Sequence, residues 1–302
     1  MRTVFLGTSD FAAAVLERLT ASDHRPALAL TRPDRPRGRG RRLAPPPVAQ
    51  AARELGVALE QPERINDPAV CALVGDAAGE EPVLVVCAFG ALIKEPLLSA
   101  YELLNVHPSL LPRWRGAAPV ERAIMAGDAR TGVSIMRLTG GLDSGPVCAS
   151  AQEAIDLADT YGSLAERLQR RGAELLVGVL DEWERGRPPR FEEQPEEGVT
   201  YAEKIGAEDR LLDPARTAVE LERQVRALQP HIGARLALAD GTLLGVSRAA
   251  LAEGGRLPAG KLTANGKHLL YGTSEGVLEL LEVQSPGGRP MDAEAYLRGH
   301  AL

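Results

Sequence analysis

The chain is short of the features that mark several large classes of protein. It has only three cysteines in 302 residues, Cys71, Cys87 and Cys148. They are far apart and unpaired in spacing, so neither a disulfide framework nor a zinc knuckle is expected, and a reducing cytoplasm fits best. No run approaches the ~20 apolar residues of a membrane-spanning helix, and the opening "MRTVFLGTSDF" is too briefly apolar for a signal peptide. Internal repeats and low-complexity tracts are lacking. So is a G-x-G-x-x-G turn, since "GTSDFAA" offers one glycine where a dinucleotide pyrophosphate needs three. The net charge of −6 repels polyanions as a whole, so any nucleic-acid site has to be a local basic patch.

What is present is ample core material, 44% hydrophobic residues, in an order that alternates strands and helices. "RTVFLG", a helix from Asp10 to about Leu19, and "PALALT" make a βαβ opening. "PPVAQAARELG" reads as a helix stopped by Gly56, and "PVLVVCAFG" as a strand buried on both faces. "LLNVH", a helix over 117–127 and the strand "TGVSIMRL" continue the alternation, which implies parallel order up to about residue 150. A long amphipathic helix over 159–186 follows, capped by Asp159 or Thr160. The expected architecture is a Rossmann-like doubly wound α/β domain at 1–188 and a Pro- and charge-rich linker at 189–206. At 207–302 a helix is followed by short alternating strands of a small β-barrel.

In a doubly wound sheet, ligands sit beyond the carboxyl ends of the strands. "NVHPSLLPRWRGAAPV" puts Asn105 and His107 at such an end, two residues apart and hence on one face, with Pro108 biasing His107 towards extended backbone. Asp143, in the glycine-rich "TGGLDSGPV", follows the next strand 36 residues after His107. A crossover of that length joins adjacent parallel strands, so the two loops are expected to be neighbours. Singly, each of these residues is more economically read as a loop-stabilising group. Together they suit acyl transfer without a covalent intermediate: Asn and His donate to a tetrahedral oxyanion, while the carboxylate favours the protonated imidazole and relays a proton. Neither an activated Ser or Cys nor a set of metal ligands is apparent, so no metal is expected.

The second charged feature is "TRPDRPRGRGRR", with six arginines against one aspartate, broken by Pro and Gly. It cannot be a helix or a central strand. As two straight arms, residues 33–48 would reach roughly 25 Å at ~3.3 Å per residue. A solvated surface loop is the plain alternative to a phosphate-binding probe; concentration of the arginines in an acidic chain favours the probe.

The stretch 105–147 closely resembles the 10-formyltetrahydrofolate-dependent formyltransferases, as do "FLGTSDFA", "RPDRPRGRGRRLAPPPV", "VVCAFGALI" and "TYAEKI". The resemblance covers nearly the whole chain, and "SLLPRWRGAAP" is similar to family members that formylate an aminoacyl-tRNA. It implies Asn105, His107 and Asp143 as the catalytic trio, and formyl transfer from 10-formyltetrahydrofolate to initiator methionyl-tRNA by a cytoplasmic monomer. It implies folate contacts from Ser109, Leu110, Leu111 and Pro112, with Leu111–Pro112 cis, and from the backbone around Phe89 and Gly90. Arg35, Arg37, Arg39, Arg41 and Arg42 would contact tRNA, helped by an OB-like C-terminal barrel. Pro108, Ser9 and the Trp-free "QPHIGARLAL" depart from the family pattern. Three other readings compete: formylation of glycinamide ribonucleotide or a UDP-amino sugar, a dehydrogenase, and a non-catalytic RNA-binding module. The dehydrogenase lacks its glycine-rich turn, and the RNA-binding module leaves the trio without a role.

Overall fold

The computed structural model describes residues 1–37, 42–79 and 81–300. The chain divides into two compact units. The first is Met1–Pro119, Arg130–Ala154 and Ala165–Ala202; the second is Val120–Ala129, Ile155–Leu164 and Glu203–Leu302. Residues 189–202, read from sequence as part of a linker, belong to the first unit.

The chain begins β1 (Thr3–Gly7), α1 (Asp10–Thr20), β2 (Pro26–Leu30), β3 (Arg35–Arg37), β4 (Arg42–Ala44), α2 (Pro47–Leu55), β5 (Ala58–Glu60), α3 (Pro68–Ala78) and β6 (Val83–Cys87). It continues α4 (Leu97–Ala100), β7 (Glu102–His107), β8 (Arg115–Gly116), α5 (Pro119–Ala126), β9 (Arg130–Arg137), β10 (Val147–Ala154), α6 (Tyr161–Glu184) and β11 (Tyr201–Ala202). Local chemistry accounts for several boundaries. Ser9, extended at φ −81°, accepts a hydrogen bond from the Ala12 amide and caps α1; Gly56, at φ +65°, closes α2. All five residues of β6 are buried, as its unbroken apolar run requires.

Among the described residues the main sheet has seven strands in the order β10-β9-β7-β6-β1-β2-β5. From β1 the chain works outward through β2 to β5, returns to β6 beside β1, and works outward the other way. The switch between β1 and β6 is therefore where a doubly wound sheet opens a crevice. Val4, Leu6, Leu28, Leu30, Leu84 and Val86 pack on one face against Val70 and Val74 of α3.

The expected parallel order fails at one end. β7 pairs with β9 antiparallel, Asn105 opposite Met136 and His107 opposite Ser134, and β9 pairs with β10 antiparallel. Alternating hydrophobicity reveals a strand but not its direction. The residues of α5 from Val120 onward cluster with the second unit, so α5 is not the crossover helix that a parallel return requires. The arginine-rich stretch also departs from a wholly irregular loop. Its described parts form a ribbon of paired β3 and β4, with Arg35 opposite Ala44 and Arg37 opposite Arg42.

The second unit continues with α7 (Ala218–Ala227), β12 (Ala234–Ala237), β13 (Leu243–Leu251), β14 (Leu262–Asn265), β15 (His268–Gly272), β16 (Val277–Gln284), β17 (Met291–Asp292) and α8 (Ala293–Gly299). The strands form an antiparallel sheet, β12-β13-β16-β15-β14 with β17 beside β16. Its core takes Leu236, Leu244, Val246, Leu269, Leu278 and Leu280 from the strands, and Leu221 and Val225 from α7. A Thr217–Glu220 capping box starts α7. His231, in the Trp-free turn, stacks on Tyr161 at 3.7 Å between ring centroids and meets Glu121 Oε1 at 2.9 Å.

Candidate active site

The three residues singled out in the sequence converge in the first unit. Asn105 and His107 end β7, buried at 8% and 4% exposure. Asn105 Nδ2 donates to Asp143 Oδ1 at 3.4 Å, and His107 Nδ1 lies 3.7 Å from Asp143 Oδ2. The expectation that Asp143 neighbours the other two is met, but by another route than parallel strands. β9 runs away from the end of β7 that bears His107, and the 138–146 loop that turns into β10 brings Asp143 back to it.

That return is held by hydrogen bonds. The Gly116 amide donates to Asp143 Oδ2 at 2.8 Å, so the carboxylate ties to β8 as well as to Asn105. Gly116 is at φ +124°, and a Cβ there would stand 2.7 Å from the Ala202 carbonyl oxygen, so only glycine fits. Asp143 is itself left-handed at φ +43°, as are Ala88 at +41° and Trp114 at +64°. Left-handed non-glycine residues after β6 and in the two loops that meet beside β7 are an arrangement typical of functional loops.

His107 Nε2 faces the Trp114 carbonyl oxygen at 2.9 Å. A carbonyl only accepts, so Nε2 carries hydrogen, and Nδ1 is the nitrogen turned to the carboxylate. Trp114 is placed by its own amide, which donates to Thr200 Oγ1 at 2.9 Å, while the Arg115 amide donates to the Thr200 carbonyl at 2.9 Å. β11 continues this contact by pairing with β8.

The segments implied to contact folate leave the carboxyl ends of adjacent strands, β6 and β7. Ser109 is buried, its hydroxyl donating to the Arg113 carbonyl at 2.6 Å. Leu110, Leu111 and Pro112 are half-buried, and the Leu111–Pro112 bond is cis, as expected. The Leu111 amide donates to Ser134 Oγ at 3.2 Å. Phe89 points into the core, leaving the main chain at the surface of that turn. Thr8 Oγ1 donates to the Phe89 carbonyl at 2.7 Å and Arg32 Nη1 to the Gly90 carbonyl at 3.0 Å, so the ends of β1, β2 and β6 are laced together. On the basic ribbon, the Arg35 and Arg42 side chains and Leu43 are exposed. Arg39 and Arg41 lie outside the described residues, and Arg37 is described in its backbone pairing alone.

Sequence patterning passed over Gln194 and Thr200, which hold the site from the stretch read as a linker. Gln194 Nε2 donates to the Asp143 and Gly145 carbonyls at 2.9 and 2.7 Å. The signal that was available is the run "VTYA", a short β-prone stretch after the charged segment. Burial raises the thiol pKa at all three cysteines, to about 11 at Cys148, which keeps them protonated at neutral pH. No group of three or more His, Cys, Asp or Glu able to hold a metal ion occurs among the described residues.

Residues 1–180 match the family model "Formyl transferase" and residues 204–301 match "Formyl transferase, C-terminal domain". Fold and site together thus define an enzyme that moves a formyl group. The methionyl-tRNA formyltransferase of Halorhodospira halophila is 43% identical over all of this chain and 97% of its own length, and that of Paracoccus denitrificans is 44% identical over 100% and 98%. The chain belongs to the methionyl-tRNA formyltransferase family. Among solved structures, the N-formyltransferase of Helicobacter canadensis, in complex with folinic acid and dTDP-3-aminofucose, shares the fold. It has a TM-score of 0.67 at 13% identity, over 92% of this chain and 98% of that one. HypX of Aquifex aeolicus in complex with tetrahydrofolic acid gives 0.65 at 17% identity over 98% of this chain, which spans 47% of HypX.

Proposed function

We propose that the chain transfers the formyl group of 10-formyltetrahydrofolate to the free α-amino group of initiator methionyl-tRNA, as a cytoplasmic monomer, with Asn105, His107 and Asp143 as its catalytic residues. The observation that carries this reading is the convergence of a buried amide, a buried imidazole and a left-handed carboxylate at the carboxyl end of β7. The similarity to relatives named methionyl-tRNA formyltransferase supports the acceptor.

The chemistry follows from what each group can donate or accept. The neutral amine attacks the formyl carbon and the carbonyl π pair moves to oxygen. Asn105 N–H and His107 hold the oxyanion that forms, and preorganised donors of this kind are worth roughly 10²-fold or more in kcat. Asp143 takes the proton released by the amine, directly or through water. The oxyanion then re-forms the carbonyl, the bond to the folate nitrogen breaks, and that nitrogen leaves with a proton. No acyl-enzyme is needed, in keeping with the protonated cysteines.

The folate sits in this reading against 109–112 and the main chain at 88–90, where Phe89 faces inward while Ala88 and Gly90 are exposed. The catalytic domain expected at 1–188 carries transfer in this reading; the C-terminal module at 207–302 helps hold tRNA. Arg35, Arg37, Arg39, Arg41 and Arg42 read the RNA end, where single-stranded nucleotides expose their base edges. Exposure of Arg35 and Arg42 supports that assignment. Neutralising a ribbon arginine that pairs with a phosphate should flatten the salt dependence of tRNA binding by roughly 0.7–0.9 log unit.

The test is steady-state formylation of charged initiator tRNA by the wild-type protein and by Asn105→Ala and His107→Ala. Each substitution should lower kcat by about 10²-fold or more while KM for both substrates moves little. An enzyme with near-normal kcat after either change would remove that residue from the mechanism.

A further inference from the structure

Gln194 lies in a stretch whose composition reads as connecting chain, yet its amide is fully committed. Nε2 donates both hydrogens to main-chain oxygens, Asp143 at 2.9 Å and Gly145 at 2.7 Å. Oε1 accepts from Arg115 Nε at 3.0 Å and Nη2 at 2.7 Å. The residue after Arg115, Gly116, donates its amide to the Asp143 carboxylate at 2.8 Å. One side chain thus straps the backbone on both sides of Ser144 to the strand that grips the Asp143 carboxylate.

The strap has a job because the tip of the loop, 140–142, is glycine-rich and exposed. The loop contains Gly140, Gly141 and Gly145, its Leu142 is 58% exposed, and Asp143 is held left-handed. Leu138 anchors the loop's start on the core, so beyond it a glycine-rich backbone depends on hydrogen bonds to keep one conformation. The strap itself is fixed from both sides. Glu192 and Val147 exchange hydrogen bonds of 2.8 and 2.9 Å, and two residues of β11 pair with β8. Only an amide offers two donors to carbonyls and an acceptor to a guanidinium at once; a carboxylate or an ammonium supplies one kind alone.

We infer that Gln194 is a positioning residue for formyl transfer, acting through Asp143 by holding the backbone of its loop at the distance from Asn105 and His107 at which the carboxylate works. The inference rests on the reading of Asp143 as catalytic.

The experiment is a double-mutant cycle in the full-length enzyme, with initiator Met-tRNA and 10-formyltetrahydrofolate as substrates. Gln194→Glu keeps the shape and the acceptor for Arg115 but turns an oxygen on two carbonyls. It should lower kcat by roughly 10- to 100-fold, since a displacement of about 1 Å in a reacting group costs up to ~10²-fold, with both KM values within about threefold. In an Asp143→Asn background the same change should cost less than about threefold, because the group it positions has already been disabled. Gln194→Met, uncharged and unable to make any of the four bonds, should behave alike, and Glu193→Ala, at an exposed neighbour, should change nothing. Equal losses in both backgrounds would make the role merely structural and overturn the inference. So would normal kcat in both Gln194 variants, or failure of both to fold. A wild-type enzyme inactive on Met-tRNA would instead sink the functional reading beneath it.

Discussion

Asp143→Asn removes the charge of the carboxylate with little change of shape, and Asn tolerates the left-handed backbone, φ +43°, at least as well as Asp. Its one side-chain oxygen can still accept from the Gly116 amide, now at 2.8 Å from Oδ2, while its amide nitrogen then meets Asn105 Nδ2, donor against donor, in place of the 3.4 Å contact that Oδ1 accepts. What disappears is a negative charge 3.7 Å from His107 Nδ1 and an acceptor for the proton released by the amine. A positioned proton acceptor contributes about 10²- to 10⁴-fold to the rate of the step it serves. The pair is well shielded, with 4% and 14% of the side chains exposed, so solvent screens little of it. Relaxation of the loop and entry of water return part of the loss, leaving an expected fall in kcat of about 10²- to 10³-fold. The assay is single-turnover formylation of charged initiator tRNA, with folate binding and thermal melting measured alongside. Loss of turnover with folate affinity and melting temperature retained is the predicted pattern. A kcat within about threefold of wild type would refute the electrostatic role of Asp143.

Other consequences concern the supporting structure. A Cβ on Gly145 would stand 2.0 Å from the Arg137 carbonyl oxygen, so Gly145→Ala should destabilise the protein by about 1–3 kcal/mol and lower kcat by displacing the Asp143 loop; denaturant melts and turnover check both. In the second unit, Arg122 binds Asp209 with two bonds of 2.7 and 3.0 Å and, with the Gly206 amide, lowers the Asp209 pKa against the opposing effect of burial. That stabilisation is present above the unfolded carboxyl value of ~3.9 and lost as pH falls through the lower folded value. Arg122→Met should therefore cost about 1–2 kcal/mol at pH 7, and the gap to wild type should close on acid titration. Burial first, opposed in part by the main chain, pushes the Cys148 thiol up to about 11, and burial also raises Cys71 and Cys87. Alkylation at pH 7.5 should thus be slow and leave activity intact, whereas rapid labelling with inactivation would contradict that burial.

The parts of the fold legible in the sequence are those written locally. The glycine that stops α2, the unbroken apolar run of β6 and the two-residue spacing of Asn105 and His107 each have a near-neighbour cause, and each appears where periodicity put it. Strand direction at β7, β9 and β10 was not legible. Pairing partners are chosen by long-range packing, and a helix between two strands permits a parallel return without compelling it. α3 and β5 went unread, being short or weakly amphipathic, and the ribbon of β3 and β4 was hidden by arginines and prolines that disfavour strands. Gln194 was invisible for a plainer reason. A single amide among glutamates has no periodicity, and its partner carbonyls are 51 and 49 residues away.

The measurement that bears most directly on the account is a comparison of acceptors at one concentration of labelled 10-formyltetrahydrofolate: initiator Met-tRNA, glycinamide ribonucleotide and a UDP-amino sugar, each followed to kcat/KM. The arrangement at Asn105, His107 and Asp143 serves any of these amines, so the acceptor decides between otherwise identical chemistries. Label is expected on the methionyl α-amine, with kcat/KM at least ~10³-fold above either small acceptor, the scale on which a site can select by built contacts. Preference for glycinamide ribonucleotide or the amino sugar would contradict the proposed acceptor.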